Sequence, residues 1–304
     1  MEELKIGIIG FDTSHVPAFT RLLNDVNDPF HVQGGKVVAG FPSFSPDLPS
    51  SADRVEGYKK EMAEKWNIKI VSSVKELLKC VDAVLLESVD GRRHLKEAAP
   101  VIKAKKPLFI DKPLAASFKE AKKIIALAAK HGTPVFSSSS LRFDHNISAA
   151  RQDAELGGIV GCDAFSPASQ DPTNPGLFWY GVHGAEILYT FMGAGCKKLF
   201  SKKTEGTDFV VGEWEDGRIG TLRGTRKGMH SYGARVFGEK KIVQVMYSTE
   251  IPIYAQLLKQ IIPFFKTGTP PVANEETLEI MQFMQAAILS EKKKKEVLLK
   301  DVKS

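Results

Sequence analysis

Short apolar runs and amphipathic segments alternate along the first 140 residues. Lys5-Ile6-Gly7-Ile8-Ile9 is apolar and stops on Gly10. A polar turn follows, and Phe19, Leu22, Leu23 and Val26 then recur at spacings of three and four. This predicts a strand, a turn and a helix over 16–26. Ser14 is placed to cap that helix, and Pro17 falls in its first turn, where a missing N–H does no harm. Further strands are predicted at 36–40, 68–70, 83–86, 108–110 and 134–137, separated by helices at 56–66, 74–79, 93–104 and 118–130. Such alternation predicts a parallel sheet with right-handed crossovers and helices on both faces.

The pattern changes after residue 140. A helix is predicted over 146–156 and a strand over 159–165. Strands at 209–214 and 218–223 are joined by Glu215-Asp216-Gly217, a hairpin turn, and a second hairpin joins 233–238 to 241–247. Helices follow at 253–265 and 274–293, the second carrying Glu275 and Glu276 in its first turn. Strands this near in sequence pair antiparallel. The expected fold is therefore α/β: a Rossmann-type doubly wound domain over 1–140 and an α+β domain with a mainly antiparallel sheet over 141–304.

Composition adds exclusions. The formal net charge of +6 owes much to the run Lys292 to Lys295, which suits the negative end of a helix. No other basic cluster appears, so no nucleic-acid partner is expected. The three cysteines, Cys80, Cys162 and Cys196, lie far apart without a C-x-x-C, which fits a reducing compartment. An acidic start, Met1-Glu2-Glu3, runs straight into the first strand, and no apolar run reaches the roughly 18 residues of a membrane span. A cytoplasmic protein with no secretory signal is expected.

In a doubly wound sheet ligands bind beyond the carboxyl ends of the strands. Three predicted strand ends carry polar groups there: the Gly10 turn with Asp12, Thr13, Ser14 and His15; Glu87-Ser88; and Asp111-Lys112-Pro113. The first is the place of a dinucleotide fingerprint, G-x-G-x-x-G, but only Gly10 is kept, with Asp12 and His15 at the other two glycine positions. The second strand ends in Phe41-Pro42-Ser43, without the acid that usually holds a ribose. Lys112 is placed to polarise a hydroxyl. In the second half, His183 stands between Gly181 and Gly184, which would let a ligand reach its ring, and Glu186 shares its helix face. No third ligand accompanies His183 and Glu186, so no metal is expected.

Together these motifs resemble the glucose–fructose oxidoreductase/inositol dehydrogenase (Gfo/Idh/MocA) family along nearly the whole chain. Ile6 to Gly10 matches the start of its fingerprint, His94 its histidine after the fourth strand, and Asp111-Lys112-Pro113 its Glu-Lys-Pro. His183, Glu186 and Gly193 match its Asp-x-x-x-His-x-x-Asp stretch, with Trp179 replacing the first aspartate. The resemblance implies an oxidoreductase using NAD or NADP on a sugar or polyol hydroxyl. It implies Lys112 and His183 as the catalytic pair and an open C-terminal sheet as the contact of a homo-oligomer. Gly10, Asp12, Thr13, Ser14, His15, Ser88, Asp111 and Lys112 would hold the cofactor, and Arg142, Trp179, Tyr180 and His183 the substrate. The altered positions support a second reading, a non-redox binding or regulatory relative. An Asp12 carboxylate capping the first helix would repel a pyrophosphate, and a protonated His15 would offset that repulsion.

Overall fold

A computed structural model of the chain describes residues 3–303. Met1 and Glu2, part of the stretch on which the expectation of no secretory signal rests, lie outside the described residues. Two compact units form. The first takes the chain up to Ala115, then Glu120–Ser138 and Tyr254–Asn274; the second takes Ala116–Lys119, Ser139–Ile253 and the chain from Glu275 onward.

The first unit contains β1 (Leu4–Ile9), α1 (His15–Asn24), β2 (Gly35–Phe41), α2 (Pro49–Glu64), β3 (Lys69–Ile70), α3 (Val74–Leu77), β4 (Ala83–Leu86), α4 (Gly91–Lys103), β5 (Leu108–Asp111), α5 (Phe118–His131) and β6 (Val135–Ser138). Its strands pair in parallel in the order β3-β2-β1-β4-β5-β6. Both β4 and β5 are buried at every residue, as strands covered by helices on both faces must be. The strand order reverses between β1 and β4, which opens a crevice at their carboxyl ends. α2 starts at Pro49 rather than Glu56. Its first turns, Ser50 to Arg54, are polar and carry no apolar period, and a proline opens the helix instead.

The second unit contains α6 (His145–Gln152), β7 (Ile159–Pro167), α7 (Val182–Met192), β8 (Cys196–Lys203), β9 (Thr207–Trp214), β10 (Ile219–Thr225), β11 (Gly233–Gly238) and β12 (Ile242–Met246). The helix α8 (Ile253–Thr267) then rejoins the first unit, where Phe264 meets the Phe136 ring edge-on. α9 (Asn274–Lys293) and β13 (Val297–Leu298) complete the chain. The second sheet runs β12-β11-β7-β10-β9-β8-β13 and is antiparallel except for β7 with β10, which are parallel because α7 and two strands separate them in the chain. β8 escaped the sequence pattern for a physical reason. A register shift between Cys196 and Lys198 breaks its alternation, and lysines at 197, 198, 202 and 203 dilute its apolar side. The helix predicted to 156 stops at Gln152, and a 3-10 turn opened by Asp153 follows.

Trp214 lies wholly inside the second unit, its indole N–H donating to Gly193 O at 2.9 Å. Glu279 of α9 accepts from the N–H groups of Gly195 and Cys196 and from the Tyr189 hydroxyl, tying α9 to the entry of β8.

Gly10 sets the crevice. Its φ of +88° is left-handed, and a Cβ there would lie 2.4 Å from the Ser88 amide nitrogen. Gly10→Ala should therefore destabilise the protein by about 2 kcal/mol or more, strain and collision acting together. Gly57→Ala, in α2 with nothing within 4 Å of the added carbon, should be neutral or stabilising by up to ~1 kcal/mol. Urea unfolding of both variants measures the contrast.

Candidate active site

In the first unit the strand ends converge on a crevice rich in carboxylates. The chain leaves β1 through Gly10 and Phe11, whose N–H groups donate to Phe41 O and Ser43 O. Phe11 is fully buried and packs on Gly40, where a Cβ would fall 2.2 Å from its ring. Asp12 then turns inward. Its carboxylate, wholly buried, accepts from the Ser51 hydroxyl at 2.6 Å and from the Val89 N–H at 3.1 Å. It thus joins the β1 turn to α2 and to the β4–α4 loop instead of capping α1. Burial raises the Asp12 pKa, and the Ser51 and Val89 hydrogen bonds oppose that rise.

A chain of hydrogen bonds extends from this point. Ser51 Oγ accepts from Ser45 N–H, and Ser45 Oγ donates to Asp90. Asp90 caps α4 through the Arg92 N–H, and the Arg92 guanidinium spans Asp90 and Asp47. Glu97 accepts from Ser88 Oγ at 2.6 Å, from Arg93 Nε at 2.8 Å, and through a short hydrogen bond from Ser43 Oγ. His94 bridges two strand exits, with Nε2 2.7 Å from Ser88 O and Nδ1 3.0 Å from Pro113 O.

His15 does not face Asp12. Its ring stacks on Phe19 and packs on Tyr254, and Nδ1 points between Asp111 Oδ2 at 3.0 Å and Glu87 Oε2 at 3.4 Å. Burial would lower the His15 pKa, but Asp111 and then Glu87 outweigh it and lift it to about 9. Burial raises Glu87 to about 7 against the pull of His15. Asp111, also penalised by burial, is held at about 2 because His15 and Lys112 stabilise its charge. Lys112 follows β5 half-buried, and its charge acts on both carboxylates. Thr13 accepts the His15 N–H through its hydroxyl, and Ser14 holds the N-cap of α1 without a side-chain cap.

This geometry tests the fit of a dinucleotide. The backbone fits: the strand-turn-helix is intact, and Gly10 brings the β1 turn against the β4 exit as only glycine can. The side chains depart from the usual site, since Asp12 fills the second glycine position with a buried carboxylate.

In the second unit α7 carries His183, 8% exposed. The glycines around it serve packing rather than ligand approach. A Cβ on Gly181 would strike Leu177 at 2.4 Å, and one on Gly184 would strike Leu222 at 2.4 Å. His183 Nδ1 lies 2.7 Å from Ser139 Oγ, and the Tyr180 and Tyr232 rings stand edge-on to the imidazole at 5.0 and 5.6 Å. The Tyr232 hydroxyl donates to that of Tyr180 at 2.9 Å. Trp179 is half-buried at the start of this turn. Ser139 and Tyr232 carry no sequence signal toward His183, because only the fold brings 139 and 232 to 183. Glu186, on the same face, is bound to Arg142 Nε at 2.7 Å, and Arg142 Nη2 reaches Glu276 at 2.8 Å. Arg142 is thereby engaged in an ion triad with the buried Glu186 and the half-buried Glu276. Burial raises the Glu186 pKa against the pull of Arg142.

The comparisons with known proteins agree with this architecture. Residues 4–139 match the oxidoreductase family with an NAD-binding Rossmann fold, Gfo/Idh/MocA, the family that the sequence motifs resemble. A NAD(P)-type cofactor is the family's, as the sequence analysis expected. The chain is 24% identical to a myo-inositol 2-dehydrogenase of Thermotoga maritima, covering 84% of this chain and 92% of that protein. Two solved structures share the fold: a probable dehydrogenase of Thermotoga maritima (22% identity, TM-score 0.79, covering 99% and 100% of the two chains) and a scyllo-inositol dehydrogenase of Lactobacillus casei bound to NAD(H) and scyllo-inositol (15%, 0.79, 99% and 100%).

Removing Arg142 would take the cationic partner from two carboxylates. Arg142→Leu should destabilise the protein by about 3–5 kcal/mol, and adding Glu186→Gln to it should recover part of the loss. Chemical denaturation of the single and double variants measures this.

Proposed function

We propose that the protein is a dehydrogenase that moves hydride between NAD or NADP and a hydroxyl of a sugar- or polyol-like substrate. The observation that carries the reading is Lys112 at the end of β5, in an NAD-binding Rossmann domain of this family, beside the buried acids of the crevice. The inositol dehydrogenases among its relatives support the substrate class. Gly10, Thr13, Ser14 and Ser88 would hold the dinucleotide, whose nicotinamide supplies the hydride acceptor. Asp111, through Lys112, sets the charge at its far end.

His183 acts as the general base. The Ser139 hydroxyl engages Nδ1 and fixes the ring, and the imidazole takes the substrate proton. Tyr180 and Tyr232 stand edge-on to its ring, and together with Trp179 they would bind the substrate. Lys112 polarises the hydroxyl being oxidised. Arg142 serves by holding Glu186 of α7 in place. Self-association uses the open face of the second sheet, where Phe200, Ile219 and Ile242 are exposed at 38%, 56% and 62%. Among the described residues no helix is long and apolar enough to cross a membrane.

The second reading, a relative that binds without hydride transfer, rests on the buried Asp12 carboxylate. A unit negative charge ~5 Å from a phosphate at an effective dielectric of ~20 costs about 3 kcal/mol. Wild-type affinity for NADH or NADPH should be weak at neutral pH and climb on acidification, since burial makes Asp12 shed its charge earlier than usual. Asp12→Asn keeps an acceptor for Val89 and removes the charge; it should tighten binding by roughly 10–100-fold, read by calorimetry. Tight binding by the wild type that Asp12→Asn leaves unchanged would refute the repulsion.

Turnover tests the dehydrogenase reading itself. His183→Ala should lower kcat by ~10²–10⁴-fold with dinucleotide affinity little changed. Ser139→Ala should lower kcat less and shift its pH profile, because it orients the base without touching substrate. Polyol oxidation followed by NADH absorbance reads both. Full activity in His183→Ala would remove it from the mechanism.

A further inference from the structure

We infer that His15, Glu87 and Asp111 form a binding site for one divalent transition-metal ion. The three residues leave adjacent elements at the carboxyl ends of β1, β4 and β5, and one donor atom from each lies within 4.8 Å of the others. Ligands about 2.1 Å from a tetrahedral ion stand about 3.4 Å apart, and cis ligands of an octahedral ion about 3.0 Å apart. The observed His15 Nδ1 separations are 3.4 Å to Glu87 and 3.0 Å to Asp111.

The second observation is what the cluster lacks. Glu87 is completely buried, and neither of its carboxylate oxygens accepts an aligned hydrogen bond from the described residues. His15 Nδ1 likewise has ion-pair proximity to two carboxylates but hydrogen-bond alignment with neither. Nearby buried acids are treated differently: Asp12, Asp90 and Glu97 each accept two or more hydrogen bonds. A buried carboxylate without donors is costly unless a cation satisfies it. Lys112 contributes charge to Glu87 and Asp111. An ion between the three ligand atoms would displace the proton from the imidazole and satisfy the Glu87 oxygen.

One imidazole and two carboxylates is a borderline donor set that suits Zn²⁺ or Mn²⁺ better than Ca²⁺ or Cu⁺. Three protein ligands leave at least one position for an oxygen donor from solvent or a substrate. The His15 side chain is 13% exposed, which gives the ion a route in. The ligands stand at 15, 87 and 111, so no short motif announces them. The test of the inference uses no dinucleotide.

The full chain, stripped with a chelator and exchanged into buffer, is titrated calorimetrically with ZnCl₂ and with MnCl₂. One equivalent of at least one ion should bind with micromolar or tighter affinity. Glu87→Gln preserves shape, and His15→Ala removes the nitrogen ligand. Each should weaken binding by more than ~100-fold, the upper effect of losing only an outer-shell partner. Asp47→Asn, an exposed acid outside the cluster, should bind as the wild type does. Co²⁺ substitution adds a signature, a visible absorption band lost in both ligand variants. Circular dichroism shows which variants fold, and Glu87→Gln decides the matter if His15→Ala does not. Absence of saturable binding by the wild type would overturn the site, leaving a cluster held by a proton. Binding that survives Glu87→Gln unchanged would equally overturn it, placing the ion elsewhere.

Discussion

Buried carboxylates need donors, and that requirement organises the first unit. Asp12, Glu87, Asp90, Glu97 and Asp111 are all buried around the strand ends. An ionised carboxylate away from water is stable only when hydrogen-bonded or paired. Asp12 meets the requirement by drawing Ser51 and the Val89 amide to itself, which draws α2 and the β4–α4 loop to the β1 turn. Asp90 and Glu97 meet it through serines of the β2–α2 and β4–α4 loops and arginines of α4. The loop from Phe41 to Leu48 is ordered by these acids, since half of its own sequence is two serines and two prolines and only Leu48 is a buried apolar residue.

The alternating pattern of the first 140 residues carried the doubly wound sheet well, because buried parallel strands are compact apolar runs and their crossover helices have a clear period. The second unit was harder. β8 hides behind a bulge and four lysines, and the parallel pairing of β7 with β10 depends on a crossover that no local pattern reveals. α8 reads as an ordinary amphipathic helix, and nothing in its sequence says that its apolar side packs on Phe136 of the first unit.

The sites were legible as residue types and not as partnerships. Asp12 and His15 were visible as substitutions in a glycine fingerprint, but reading them as a pair facing one phosphate was mistaken. One turns toward α2 and β4, the other toward Glu87 and Asp111. Gly181 and Gly184 looked like room for a ligand, yet they are where α7 meets Leu177 and Leu222. Glu186 looked like a partner for His183 through helical spacing, but a buried arginine claims it, and Ser139 takes its place at the imidazole. In each case tertiary charge pairing and close packing, neither of them periodic, decided the outcome.

The account's central claim is that the dinucleotide lies in the crevice between the β1 turn and the β4–α4 loop despite its acidic lining. Hydrogen–deuterium exchange with and without saturating NADH tests this directly. Slower exchange at the amides of residues 13–16 and 88–94, with the distant strands β8 and β9 unchanged, is the result the account predicts. Exchange left unaltered in both segments while other amides of the chain become protected would contradict it.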